Sequence, residues 1–123
     1  MTVVAQTPIT QYKTTDQLGV GLISWLLLLN GNTGAPERMT NYPMRSLQVT
    51  GTWGVGGTLV WEGSNDNVTY FTLYDPYDVA CSITGNSLIC TMYPCLWVRP
   101  HVTAGDVTTS LNAIMCCVGT FKP

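Results

Sequence analysis

Charge is what this chain has least of. Its 123 residues carry five Lys and Arg, seven Asp and Glu and a single histidine, a net charge of −2. So few cations exclude a phosphate-reading surface, which would need a basic patch. Charged residues make up 10% of the chain and hydrophobic ones 46%, a balance that excludes disorder. The longest apolar run, Val20 to Leu29, is about half of what a membrane helix needs. The opening Met1-Thr-Val-Val-Ala lacks the charged start, apolar centre and small-residue site of a signal peptide. Five cysteines, an odd number, fit reduced thiols in a cytoplasm better than a secreted disulfide framework. Asn67-Val68-Thr69 is then a chance sequon.

Catalytic motifs are missing as well. The sequence holds no Gly-x-Ser-x-Gly, no phosphate loop, no Cys-x-x-Cys and no His-Glu-x-x-His. His101, the one histidine, stands between Pro100 and Val102 with no nucleophile in view, so it reads as structural. No enzyme and no cofactor are expected. Asn65, Asp66, Asp75 and Asp78 raise the question of calcium, which takes six to eight oxygen ligands. Asp and Asn are also the ordinary formers of turns, and that reading is preferred.

What is present is alternation. Leu47, Val49, Gly51 and Trp53 share one face of a strand, with Ser46, Gln48, Thr50 and Thr52 on the other. Leu59 and Trp61 follow, then Phe71 and Leu73 pointing together, then Leu96, Val98, Pro100 and Val102 opposite Trp97, Arg99 and His101. Pro100 argues for an edge strand or a bulge. Leu111, Ala113, Met115 and Cys117 close the series, and Val20 to Leu29 reads as a buried strand. About eight short strands at this spacing predict one all-β, jelly-roll-like sandwich over residues 20–123. Residues 1–19, polar and rich in Thr and Gln, read as an extended N-terminal arm.

Gly85-Asn86 predicts a tight hairpin between residues 79–84 and 87–92. Counting outward from it sets Cys81 opposite Cys90, a pair able to bridge if oxidised. Buried thiols acting as small hydrophobes are the preferred alternative. Cys116 and Cys117 point to opposite faces and share no metal. Trp97 and Arg99, with His101 beside them, are candidate interface residues, as are Gln11 and Tyr12 in the arm.

The stretch from Ser46-Leu-Gln-Val-Thr-Gly through Glu62-Gly-Ser-Asn-Asp to Tyr70-Phe-Thr-Leu, with Leu96-Trp-Val-Arg-Pro-His and its Gly-Asp turn, resembles small structural proteins of tailed bacteriophages. The likeness covers residues 46–115 well and the first 45 weakly; Asn67 stands where the family usually has glycine. It implies a capsid decoration or cement protein that bridges and stabilises subunits of the major capsid protein. By the same resemblance the chain pairs with itself as a homodimer or homotrimer. It assembles in the bacterial cytoplasm, ends on the virion surface and binds neither nucleic acid nor membrane. A tail or head–tail connector component is one alternative. A carbohydrate-binding sandwich using Tyr70, Tyr74, Tyr77 or Trp97 is another.

Overall fold

The computed structural model describes residues 3–13, 18–38, 44–91 and 93–120, with backbone alone for 6–13, 18–20, 119 and 120. Twelve strands build it: β1 (Val3–Val4), β2 (Gln6–Lys13), β3 (Leu18–Leu29), β4 (Thr33–Gly34), β5 (Glu37–Arg38) and β6 (Met44–Thr52). After them come β7 (Thr58–Ser64), β8 (Phe71–Thr72), β9 (Ser82–Ile83), β10 (Ser87–Thr91), β11 (Trp97–Ala104) and β12 (Ser110–Thr120). One sheet runs β1-β4-β11-β7-β8, with β5 also on β11 and β9 also on β7; the other runs β10-β6-β12-β3-β2. The two form an all-β, jelly-roll-like sandwich. Pairing is antiparallel except between β1 and β4. No helix among the described residues is long and apolar enough to cross a membrane.

The core follows the alternation. Leu47, Val49, Leu111, Ala113, Met115 and Cys117 of the five-stranded sheet are fully buried, facing Leu59, Trp61, Val98 and Val102 of the other. Each large side chain withdrawn in this way contributes about 1.5–3 kcal/mol. Trp25 is fully buried too, and its indole donates to the Ala35 carbonyl at 3.0 Å. Gly34 lies so close to this ring that a Cβ there would stand 2.5 Å from it, which is why β4 carries no side chain at that point.

The structure departs from the sequence reading in four places. Val20 to Leu29 is a strand, but it is not buried throughout. From Trp25 to Leu28 the chain takes three steps while Ala113 to Leu111 takes two, which makes a β-bulge. The bulge turns both Trp25 and Leu28 inward and leaves Leu26, Leu27 and Leu29 half or more exposed. Part of the polar segment read as an extended arm runs as β2 along β3, from Gln6 opposite Trp25 to Lys13 opposite Leu18.

The hairpin around Gly85-Asn86 does not form. Ser82–Ile83 joins β7 and Ser87–Thr91 joins β6, so the chain passes here from one sheet to the other. Asn86 serves the crossing: its side-chain oxygen accepts from Trp53 Nε1 at 2.8 Å and from Gly51 N at 3.2 Å. Pro100 sits in a central strand, paired with Trp61 on one side. On the other side β4 reaches only His101 and β5 only Trp97 and Val98, and the proline falls in that gap. Phe71 and Leu73 also part company: Phe71 is 69% exposed and Leu73 is buried. β8 and β9 together line the edge of β7, and the excursion between them carries a turn in which Asp75 accepts from Tyr77 N and Val79 N.

Candidate functional site

Three surfaces deserve description as sites. The first is the outer face of β11, where alternation sends Trp97, Arg99 and His101 together. Register then adds a residue that sequence spacing did not suggest, because Glu62 of β7 lies directly opposite Arg99. Its carboxylate accepts from Arg99 Nε at 2.9 Å and meets His101 Nδ1 at 3.0 Å. All three side chains are mostly buried. The Arg99 guanidinium lies 3.8 Å from the centre of the Tyr70 ring, and Arg38 stands 5.9 Å over Trp97. Burial pushes the Tyr70 phenol above its usual value. Both oxygens of Glu62 are engaged, so the cluster ties β7 to β11 as a rigid polar seam. The only early sign of Glu62 was its place on the outward side of the Trp61 alternation.

The second surface is the apolar end made by the bulge. Leu26, Leu27 and Leu29 are 50%, 66% and 50% exposed, and Val107 is fully so. Leu27 has φ of +57°, a left-handed backbone that a leucine rarely adopts. Asn112 holds it there, accepting from Leu27 N at 3.1 Å. Leu29 and Val107 also line a shallow depression of about 520 Å³ with Asn30, Asp106 and Thr109.

The third is an open cleft of about 440 Å³ between the loop after β7 and residues 93–95. The loop is fixed from within. One oxygen of Asp66 accepts from Ser64 Oγ, Val68 N and Thr69 N at 2.8–2.9 Å, which holds its carboxyl below the usual range. Ser64 Oγ in turn accepts from the amides of Asp66 and Asn67. Asn67, in the place where glycine was expected, takes the left-handed conformation with φ of +59°. Buried Arg45 anchors the facing wall, donating to the carbonyls of Tyr93 and Cys95 at 3.3 and 3.2 Å.

Other sequence candidates are placed as follows. The backbone of Gln11 and Tyr12 lies in β2, opposite Val20 and Gly19; their side chains lie outside the described residues. One carboxylate oxygen each of Asp66 and Asp75 is committed to its own turn. Among the described residues, no three His, Cys, Asp or Glu side chains gather where they could hold a metal ion. Cys81, just before β9, is buried, and Cys90, in β10 of the other sheet, is exposed, yet the Cys81 thiol lies 3.9 Å from the Cys90 carbonyl oxygen. Burial pushes Cys81 up to about 11 and Cys117 to about 12.

No protein-family model and no curated protein matches the sequence. Solved structures do. A prophage-derived protein, YomS of SPBc2, superposes with a TM-score of 0.62 at 12% identity, over 97% of each chain. A subunit of Bacillus endospore appendages, described as a family of disulfide-linked pili, gives 0.50 at 11% identity over 95% of this chain and 91% of its own. At such identities the likeness is one of fold. This chain therefore shares a whole-domain architecture with a prophage-derived protein and with a pilus-forming one.

Proposed function

We propose that this chain is a non-enzymatic building block of a phage particle. More specifically, it is a capsid decoration protein that bridges and stabilises subunits of the major capsid protein. The observation that carries this reading is the apolar end: three exposed leucines at a bulge whose left-handed Leu27 is held in place by Asn112, with exposed Val107 beside Leu29. Exposed apolar surface costs solubility and a left-handed leucine costs backbone energy, so a covering neighbour gives both a physical reason. The phage-protein resemblance of residues 46–115 and the shared fold with a prophage-derived protein support the same role. So does the low charge of the chain, which suits a surface mostly covered in an assembly.

In this reading the sandwich sits over a junction between subunits, as a homodimer or homotrimer on a local symmetry axis. β2 extends the contact: it ends its sheet, and its outer side pairs with no strand among the described residues, so it can take a neighbour's strand. Many such contacts at high effective concentration bind firmly although each is weak. Trp97, Arg99 and His101 form a second contact face.

The test is quantitative mass spectrometry of parent virions together with binding of the purified chain to undecorated shells. Copies near those of the major capsid protein, or a simple fraction of them, are expected. A triple variant, Leu26→Ser, Leu27→Ser and Leu29→Ser, should fold and lose shell binding. A dozen copies or fewer would move the chain to the tail or connector, and undiminished binding of the variant would overturn the leucine contact.

A further inference from the structure

The cleft beside the loop after β7 is distinct from the apolar end and from the Glu62 seam, and its chemistry differs from both. Phe71 is 69% exposed on one side and Tyr93 is 45% exposed on the other. Between them the lining is mostly apolar and uncharged apart from Asp66, with Ser64, Asn65, Thr69 and Thr72 supplying polar groups. We propose that this cleft binds a saccharide.

The cleft holds polar groups without partners among the described residues on a rigid frame. The Asn65 side-chain oxygen accepts from Leu96 N at 3.1 Å, which fixes the amide and leaves its two N–H donors with no partner among the described residues. Asp66 commits one carboxylate oxygen to its loop, and the second, an acceptor, has no partner among the described residues. The hydroxyls of Thr69 and Thr72 have no partner among the described residues, so they too can donate and accept. Sugar hydroxyls need such a mixed set, because each is donor and acceptor at once. The C–H faces of a pyranose need an aromatic surface, and Phe71 offers one that the core does not use.

Size and stiffness agree. About 440 Å³ falls within the 300–1,000 Å³ range of small-molecule sites. The internal hydrogen bonds of the loop and the Arg45 anchor hold both walls before any ligand arrives, so little ordering entropy opposes binding. Gly63 closes the floor, since a Cβ there would stand 2.7–2.8 Å from Leu73 and the Cys95 sulfur. This inference is independent of the capsid role: shell binding reads the leucine end, and sugar binding reads the cleft.

Saturation-transfer NMR on the full chain tests it, with the methyl glycosides of glucose, galactose, mannose and N-acetylglucosamine as probes. Transfer to at least one glycoside is expected, and Phe71→Ala should weaken it about tenfold. Phe71→Leu, which keeps an apolar side chain and removes only the ring, should lose most of the binding while melting as the parent does. Thr72→Val, nearly isosteric, should weaken it severalfold. Absence of transfer to all four glycosides would overturn the proposal, as would undiminished transfer in Phe71→Leu.

Discussion

Two tryptophans offer a sharp test of how polar atoms are managed in this core. Trp25 and Trp61 are both fully buried, so replacing either by phenylalanine removes the same atoms from an equally enclosed place. The packing loss is therefore nearly common to both variants. The polar part is not. Trp25 Nε1 donates to the Ala35 carbonyl, whereas Trp61 Nε1 has no partner among the described residues. Trp25→Phe leaves that carbonyl unpaired; because Ala35 is only half-buried, water replaces part of the bond, and the cost is about 1 kcal/mol. Trp61→Phe removes a desolvated donor that was costing about 1–3 kcal/mol. Trp25→Phe should thus be the less stable variant by about 2–4 kcal/mol. At about 3–5 °C per kcal/mol for a chain of this size, the melting points should differ by at least about 6 °C. Guanidinium unfolding followed by far-UV circular dichroism gives the free energies, and calorimetry the melting points. If Trp61→Phe proves as unstable as Trp25→Phe, or less stable, the assignment of an unsatisfied indole is wrong.

The thiols should sort by burial. Brief native alkylation is expected to label the exposed Cys90 first and spare Cys81 and Cys117, whose raised values keep them protonated; peptide mapping reads the order. Asp106 predicts an acid limb. Its carboxylate accepts from the Thr108 hydroxyl and from the amides of Val55 and Thr108, and is held down at about 2 against 3.8. A depressed carboxyl stabilises the fold above its unfolded value, and that stability is lost as pH falls from about 4 through about 2. In Asp106→Asn this limb should flatten, as a titration of the unfolding midpoint against pH will show.

How much of this was legible beforehand can be judged from particular residues. Alternation placed Leu47, Val49, Leu59, Trp61, Val98 and Val102 inside, and put Trp97, Arg99 and His101 on one outer face, all of which the structure bears out. It could not name Glu62 as their partner, since the seam joins positions 37 and 39 residues apart along the chain. Gly85-Asn86 looked like a hairpin because turn chemistry is local, whereas the choice to cross between sheets rests on Asn86 reaching Gly51 and Trp53, more than thirty residues back. Nor could the leucine run announce its bulge, as one extra residue opposite Asn112 reverses the facing of everything beyond it.

The division has a simple physical basis. Period-two hydrophobicity is a property of neighbouring residues, so the sequence by itself determined that the chain is all-β and which residues of β6, β7, β11 and β12 face the core. Pairing, register and bulges depend on which strands meet, and that is decided by the total surface the sandwich can bury at once. Only the tertiary structure, therefore, brought Glu62 to Arg99 and His101, pushed three leucines into the open, and set Phe71 and Tyr93 across a cleft.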